Sequence, residues 1–136
     1  RAYLLQLIGM ICTSHRDMIQ ALVAARSPAR QESVFARLSG YLHAHLSDPS
    51  FSAASLAALM SLSSRYVGDL VKRETGKSVV QWITQTRIEE AKRLLRDHRR
   101  QIKDIAFEVG YRDEAYFTRR FRQFTGVSPS AYRDGA

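Results

Sequence analysis

Apolar positions recur along the chain at the three-to-four-residue spacing of helices, and no stretch alternates as a strand would. From Leu4 to Leu22, the residues Leu4, Leu7, Ile8, Ile11, Met18, Ile19 and Leu22 fall on one face, with Gln6, Thr13, Arg16, Asp17 and Gln20 opposite. Ser14 with Asp17 three residues on reads as a cap, so one long helix and two shorter ones both fit this stretch. The chain opens on Arg1 partway along that pattern and reads as the C-terminal piece of something longer. Ser27 to Ser33 is polar, small and interrupted by Pro28, which predicts a linker over 27–33. A helix then begins near Val34, with Phe35, Leu38, Leu42 and Leu46 on one face, and ends before Asp48-Pro49.

An internal repeat organises the remainder of the chain. RYVGDLVKRETGKS (Arg65 to Ser78) aligns without gaps on AYFTRRFRQFTGVS (Ala115 to Ser128), pairing Tyr66 with Tyr116, Val67 with Phe117, Val71 with Phe121, Lys72 with Arg122 and Thr75-Gly76 with Thr125-Gly126. SLAALMS (Ser55 to Ser61) matches DIAFEVG (Asp104 to Gly110) in its apolar spacing and shared alanine. Each copy predicts helix, tight turn, helix, over about 53–76 and 102–126. Between them, residues 78–97 carry Val80, Ile83, Ile88, Ala91, Leu94 and Leu95 and predict one long joining helix. The expected fold is all-α.

In the second copy, Gly110 supplies a residue that turns left-handed at little steric cost, and Asp113 caps the next helix. At 100° per residue, Phe117, Phe121 and Phe124 share a narrow arc while Ala115, Arg119 and Arg122 point the other way. A helix fits the B-form major groove, and Arg donates two hydrogen bonds to guanine O6 and N7. Arg119 and Arg122 are therefore the leading groove-contact candidates, with Glu114, Ala115 and Thr118 on the same helix. Arg112 at the turn and Arg120 on the flank suit phosphates, which set affinity and register. In the first copy, Ser63 caps a helix whose Val67, Leu70 and Val71 face inward. Ser64, Arg65, Gly68, Asp69 and Lys72 make up its candidate DNA face. Gly68 weakens this helix by about 1 kcal/mol relative to Ala, and Asp69 stands where the second copy has Arg119, so the two copies are expected to contribute unequally.

Charge narrows the choice of partner. The 136 residues carry 21 Lys+Arg against 13 Asp+Glu, a formal charge of +8 and a pI near 10.1. Such a balance calls for a polyanionic partner. The single cysteine, Cys12, excludes an internal disulfide framework and a Cys-rich zinc site, and fits a reducing cytoplasm. The opening apolar run is broken by Gln6 and Gly9 and lacks a cleavage site, so it reads neither as a signal peptide nor as a membrane span. His43 and His45, two residues apart on a helix, diverge by about 200° and make no metal pair; His15 packs in the N-terminal stripe. Trp82 reads as core. No glycine-rich phosphate loop, zinc spacing or nucleophile elbow is present, so no catalytic residue, metal or cofactor is expected.

Residues from about Phe35 to Arg133 resemble the DNA-binding domain of AraC/XylS-type bacterial transcription regulators, on SLSSRYVGDLVKRETGKS, WITQTRIEEAKRLL, IKDIAFEVGY and YFTRRFRQFTGVSPSAYR. The resemblance implies two helix-turn-helix units joined by a linker helix, binding consecutive major-groove segments of promoter DNA from the cytoplasm. It places the base-reading helices at Ser64 to Glu74 and Glu114 to Phe124, and gives Arg87 a structural or phosphate role. Val71 departs from the pattern, which usually has a larger Phe, as do Gly68 and Asp69. The resemblance also implies a separate N-terminal effector or dimerisation domain, of which residues 1–26 are the last helical part, leaving 34–136 as the DNA-binding domain.

Double-stranded promoter DNA is thus the expected partner, RNA polymerase a further candidate, and a membrane none. A second reading makes the Leu4 to Leu22 stripe a homodimer seam. A third, that the basic face binds RNA or membranes, predicts no preference for duplex DNA.

Overall fold

Side-chain caps and left-handed turns divide the chain into short helices. The computed structural model describes residues 28–135. The stripe from Leu4 to Leu22, with Cys12, His15 and the Ser14 cap, lies outside them. Among the described residues there are seven helices and no strand: α1 (Pro28–Ala44), α2 (Ala53–Leu59), α3 (Ser64–Thr75), α4 (Val79–Leu94), α5 (Ile102–Glu108), α6 (Glu114–Thr125) and α7 (Pro129–Gly135).

The repeat holds down to single hydrogen bonds. In the turn after α2, Leu62 N–H donates to the Ala57 carbonyl at 2.9 Å, and after α5, Tyr111 N–H donates to the Ala106 carbonyl at 2.9 Å. Both turns pass through a positive φ, at Ser61 (53°) and Gly110 (96°). Ser63 Oγ then accepts from Tyr66 N–H at 3.0 Å to start α3, while Asp113 accepts from Ala115 and Tyr116 N–H to start α6. Both α3 and α6 end on a left-handed glycine, Gly76 or Gly126, whose N–H donates to the Lys72 or Arg122 carbonyl at 2.8 Å.

The equivalence runs further than the sequence suggests. Ser78 caps α4 by accepting from Gln81 N–H, and fifty positions on Ser128 accepts from Ala131 N–H at the start of α7. α4 therefore closes the first unit and opens the second. The α7 helix is not among the sequence expectations, although Ser128-Pro129 is a helix-start pair, with the proline in a first-turn position where its missing N–H costs nothing. Arg133 on α7 gathers the loop after α4, donating to the carbonyls of Leu95, Asp97 and Arg100.

One apolar core runs through both units. Leu38 and Leu42 of α1, Leu56, Val67, Leu70 and Val71 of the first unit, Ile88, Ala91 and Leu95 around α4, and Ile105, Val109, Phe117 and Phe121 of the second are fully or almost fully buried. Each such large side chain contributes about 1.5–3 kcal/mol by leaving water. Trp82 packs against Phe35 with ring centroids 5.3 Å apart, as core. Four expectations need correction. α1 starts at Pro28 rather than near Val34, so 28–33 is helical; a proline is tolerated in a first helical turn. The joining helix ends at Leu94, three residues short of 97. Val80 is 65% exposed and Phe124 42% exposed, so neither anchors its helix from within the core.

Candidate nucleic-acid interface

α3 and α6 each bury one face and leave the other to solvent. On α6, Phe117 and Phe121 are fully buried, in a ring series that runs from Tyr111 through both to Tyr132 at centroid spacings of 5.3, 5.7 and 5.5 Å. On α3, Tyr66, Val67, Leu70 and Val71 are buried. With that side pinned, Glu114, Ala115, Arg119 and Arg122 of α6 are exposed, and Thr118 is half-buried. Ser64, Arg65, Asp69 and Lys72 of α3 are exposed and Gly68 is half-buried. Among the described residues, nothing beyond Gly68's chain neighbours and its own helix backbone lies within 4 Å of where a Gly68 Cβ would be, so packing among them does not require that glycine.

Alignment of the two copies explains Arg120. It occupies the position that Leu70 fills in α3, so its stem is half-buried where the first unit buries a leucine. Its guanidinium lies 5.5 Å from the Phe124 ring centroid and donates to Gln123 Oε1 at 2.8 Å. Phe124 thus supports an arginine rather than the core. Arg119 similarly lies 5.7 Å from the centroid of Tyr116, which is 47% exposed although its counterpart Tyr66 is buried. Tyr116 was not among the sequence candidates; the signal was present, since a tyrosine one turn before an arginine on a helix is placed to meet it.

Electrostatic pairing is distributed unevenly. Lys92–Glu89, Arg93–Glu90, Arg99–Asp97 and Arg100–Glu108 are the ion pairs among the described residues, and all lie on α4, the loop after it and α5. None involves α3 or α6. α6 carries three arginines against one glutamate, and α3 three basic residues against two acidic ones. The basic side chains of the two equivalent helices therefore face solvent with charge unspent, most strongly on α6.

Between the α5–α6 turn, α6 and the start of α4 lies a cleft of about 540 Å³, lined by Val80, Thr84, Arg87, the Gly110–Asp113 turn, Tyr116, Arg120 and Pro49. Arg112 is exposed at its rim. Arg87 is turned inward: Nη2 donates to the Asp48 carbonyl at 2.9 Å and Cζ lies 5.9 Å from the Tyr111 ring centroid. Burial, the largest influence, lowers the Arg87 pKa against smaller opposing effects of Tyr111 and Asp48. Burial also raises that of Tyr111, opposed by Arg87 and Arg120. Of the two roles expected for Arg87, these contacts are structural.

His43 and His45 diverge as their spacing requires, each ring bonding a carbonyl four residues back, of Ser39 and Tyr41 respectively. No group of three or more potential metal ligands occurs among the described residues. No helix among them is long and apolar enough to cross a membrane.

Comparison with known proteins matches residues 56–135 to the model of a helix-turn-helix domain family. The arabinose operon regulatory protein of Escherichia coli K12 is 33% identical over 126 residues, covering 88% of this chain and 43% of its own. That of Salmonella typhimurium is 39% identical over 95 residues, 70% of this chain and 34% of its own. This chain thus spans less than half the length of the curated relatives it matches. Among solved structures, the C-terminal domain of AraT, a response regulator from Geobacillus stearothermophilus, superposes with a TM-score of 0.71 at 32% identity, covering 76% of this chain and 85% of that one. The DNA-binding domain of AdpA, a global transcriptional factor solved in complex with a target DNA, superposes at 0.67 and 29% identity over 74% and 89% of the two chains.

Proposed function

The chain belongs to the AraC-type family of helix-turn-helix transcription regulators, and from that premise we propose that it binds specific double-stranded promoter DNA through α3 and α6. The observation that carries this reading is the contrast in pairing: the ion pairs fall on α4, the loop after it and α5, whereas Arg119 and Arg122 are exposed on α6 and, like the half-buried Arg120, have no carboxylate partner among the described residues. An unpaired guanidinium on a rigid helix gains more from a guanine edge or a phosphate than one already held by a carboxylate.

Within this reading α6 is the stronger reader. Arg119 and Arg122 enter the major groove, with Glu114, Ala115 and Thr118 lining the same face. Arg112 and Arg120 contact phosphates on either side. α3 presents Ser64, Arg65, Gly68, Asp69 and Lys72 to the adjacent groove segment, about 34 Å along the duplex. Asp69 accepts from cytosine N4 if it reads a base, and is otherwise repelled by DNA, so α3 contributes less affinity. A cytoplasmic regulator follows from the same reading. A homodimer formed through residues 1–26, and contact with RNA polymerase, are the further partners in this proposal.

Selection of bound sites from random duplex DNA tests it. The expected outcome is a site with two conserved stretches about one helical turn apart, the one under α6 better defined. Equal binding to selected duplex, random duplex and single-stranded RNA would sink the proposal.

A further inference from the structure

Arg87 lies in the middle of α4, the helix that both units share, and its guanidinium reaches the loop that leads into the first unit and the turn of the second. Nη2 bonds the Asp48 carbonyl in the loop between α1 and α2, and the guanidinium carbon lies over Tyr111, the residue that follows the turn of the second unit. Gly110 presses into the same point. A Cβ added there would lie 2.2 Å from the Leu46 carbonyl oxygen and 2.8 Å from Arg87 Nε. The end of α1, the centre of α4 and the turn that sets the direction of α6 therefore meet with no room for a side chain between them.

A guanidinium is a costly group to place at such a junction. Arg87 Nε is buried without a hydrogen-bond partner among the described residues, and an apolar side chain of similar length would leave no such atom unsatisfied. What the arginine supplies is orientation, because its planar fork bonds along its edge while its face rests on a ring. The Asp48 contact spans 39 positions of sequence, and together with the guanidinium over Tyr111 it bridges the loop before α2 to the turn of the second unit.

We propose that Arg87 is a positioning residue that fixes the angle of α6 relative to α3 and thereby selects the spacing between the two half-sites this chain reads. The proposal rests on the DNA-binding reading above. One added base pair moves the second half-site by about 3.4 Å and turns it by roughly 35° about the duplex axis. A junction held on both sides resists following that turn; one held by α4 alone gives way.

The test uses the whole chain and three duplexes: the selected site, the same site with one base pair inserted between its half-sites, and a duplex carrying only the α6 half-site. The unsubstituted chain should lose about 30-fold or more in affinity on insertion, a scale set by the cost of a mismatched base pair or two. Arg87→Met should lower this penalty to about threefold or less while leaving the single half-site affinity within about twofold, and Arg87→Lys, which keeps the charge but not the fork, should fall between. A role in general stability alone predicts equal loss on all three duplexes with the insertion penalty intact, and that result overturns the proposal. If Arg87→Met does not fold, Tyr111→Leu removes the ring beneath the guanidinium and must relax the insertion penalty in the same way; an unchanged penalty overturns the proposal equally. Failure of the unsubstituted chain to prefer its selected duplex refutes the DNA-binding reading itself, whereas specific binding with undiminished spacing discrimination in the variants refutes only the role of Arg87.

Discussion

Gly110→Ala isolates the junction from the turn. At φ 96°, an L side chain at this position sits in the left-handed region, at a cost of about 1–2 kcal/mol. The added Cβ would also lie 2.2 Å from a backbone carbonyl oxygen, which cannot swing aside as the end of a flexible side chain can. Backbone displacement of that kind costs about 1–3 kcal/mol, so the total loss is about 2–5 kcal/mol. Gly126→Ala is the internal control, because its φ of 83° imposes a similar conformational cost and, among the described residues, nothing beyond its chain neighbours lies within 4 Å of the new methyl. It should lose only about 1–2 kcal/mol. Urea unfolding followed by circular dichroism measures both, with the midpoint carrying the comparison provided the slope is unchanged. A tightly closed junction is refuted if Gly110→Ala unfolds at the same urea concentration as Gly126→Ala.

The exposed faces and caps give three further expected outcomes. Arg119→Ala should weaken binding to the selected site by about 1–3 kcal/mol and relax base preference at one position; equal loss on selected and random duplex, measured by fluorescence anisotropy, would remove Arg119 from the groove. Arg112→Ala and Arg120→Ala should each lower the slope of log affinity against log salt by about 1, and slopes that stay the same would take them off the phosphate backbone. Asp113→Ala, which leaves the Ala115 and Tyr116 amides without their acceptor, should lower stability by about 1 kcal/mol, and an unaltered urea midpoint would show that the cap contributes nothing.

The candidate face was largely legible in the sequence, because a helix converts position along the chain into direction. Once Phe117 and Phe121 are assigned to the core, Arg119 and Arg122 have only the solvent side left to them. Arg120 was harder to place. Its flank position follows from the same angles, but its half-buried stem over Phe124 depends on the repeat having an arginine where the first copy has Leu70. Tyr116 and Tyr66 make the same point, since one tyrosine is exposed and its aligned partner buried at equivalent positions of the repeat.

Local order was set by the residues themselves: the 3.6-residue period of the apolar positions, Ser63 and Asp113 as caps, Gly76, Gly110 and Gly126 at left-handed turns, and a repeat that demands two similar units. These are interactions within four or five residues, and residue types specify them. Packing between helices settled which ends of the apolar stripes stay wet, as at Val80 and Phe124, because burial there depends on whether another helix reaches that far. It also settled the use of Arg87, an ordinary arginine on a helix until the Asp48 carbonyl, 39 positions earlier, and the turn at Gly110 and Tyr111 close around it. Periodicity carries no information about contacts at that separation, since they arise only when independently specified helices pack.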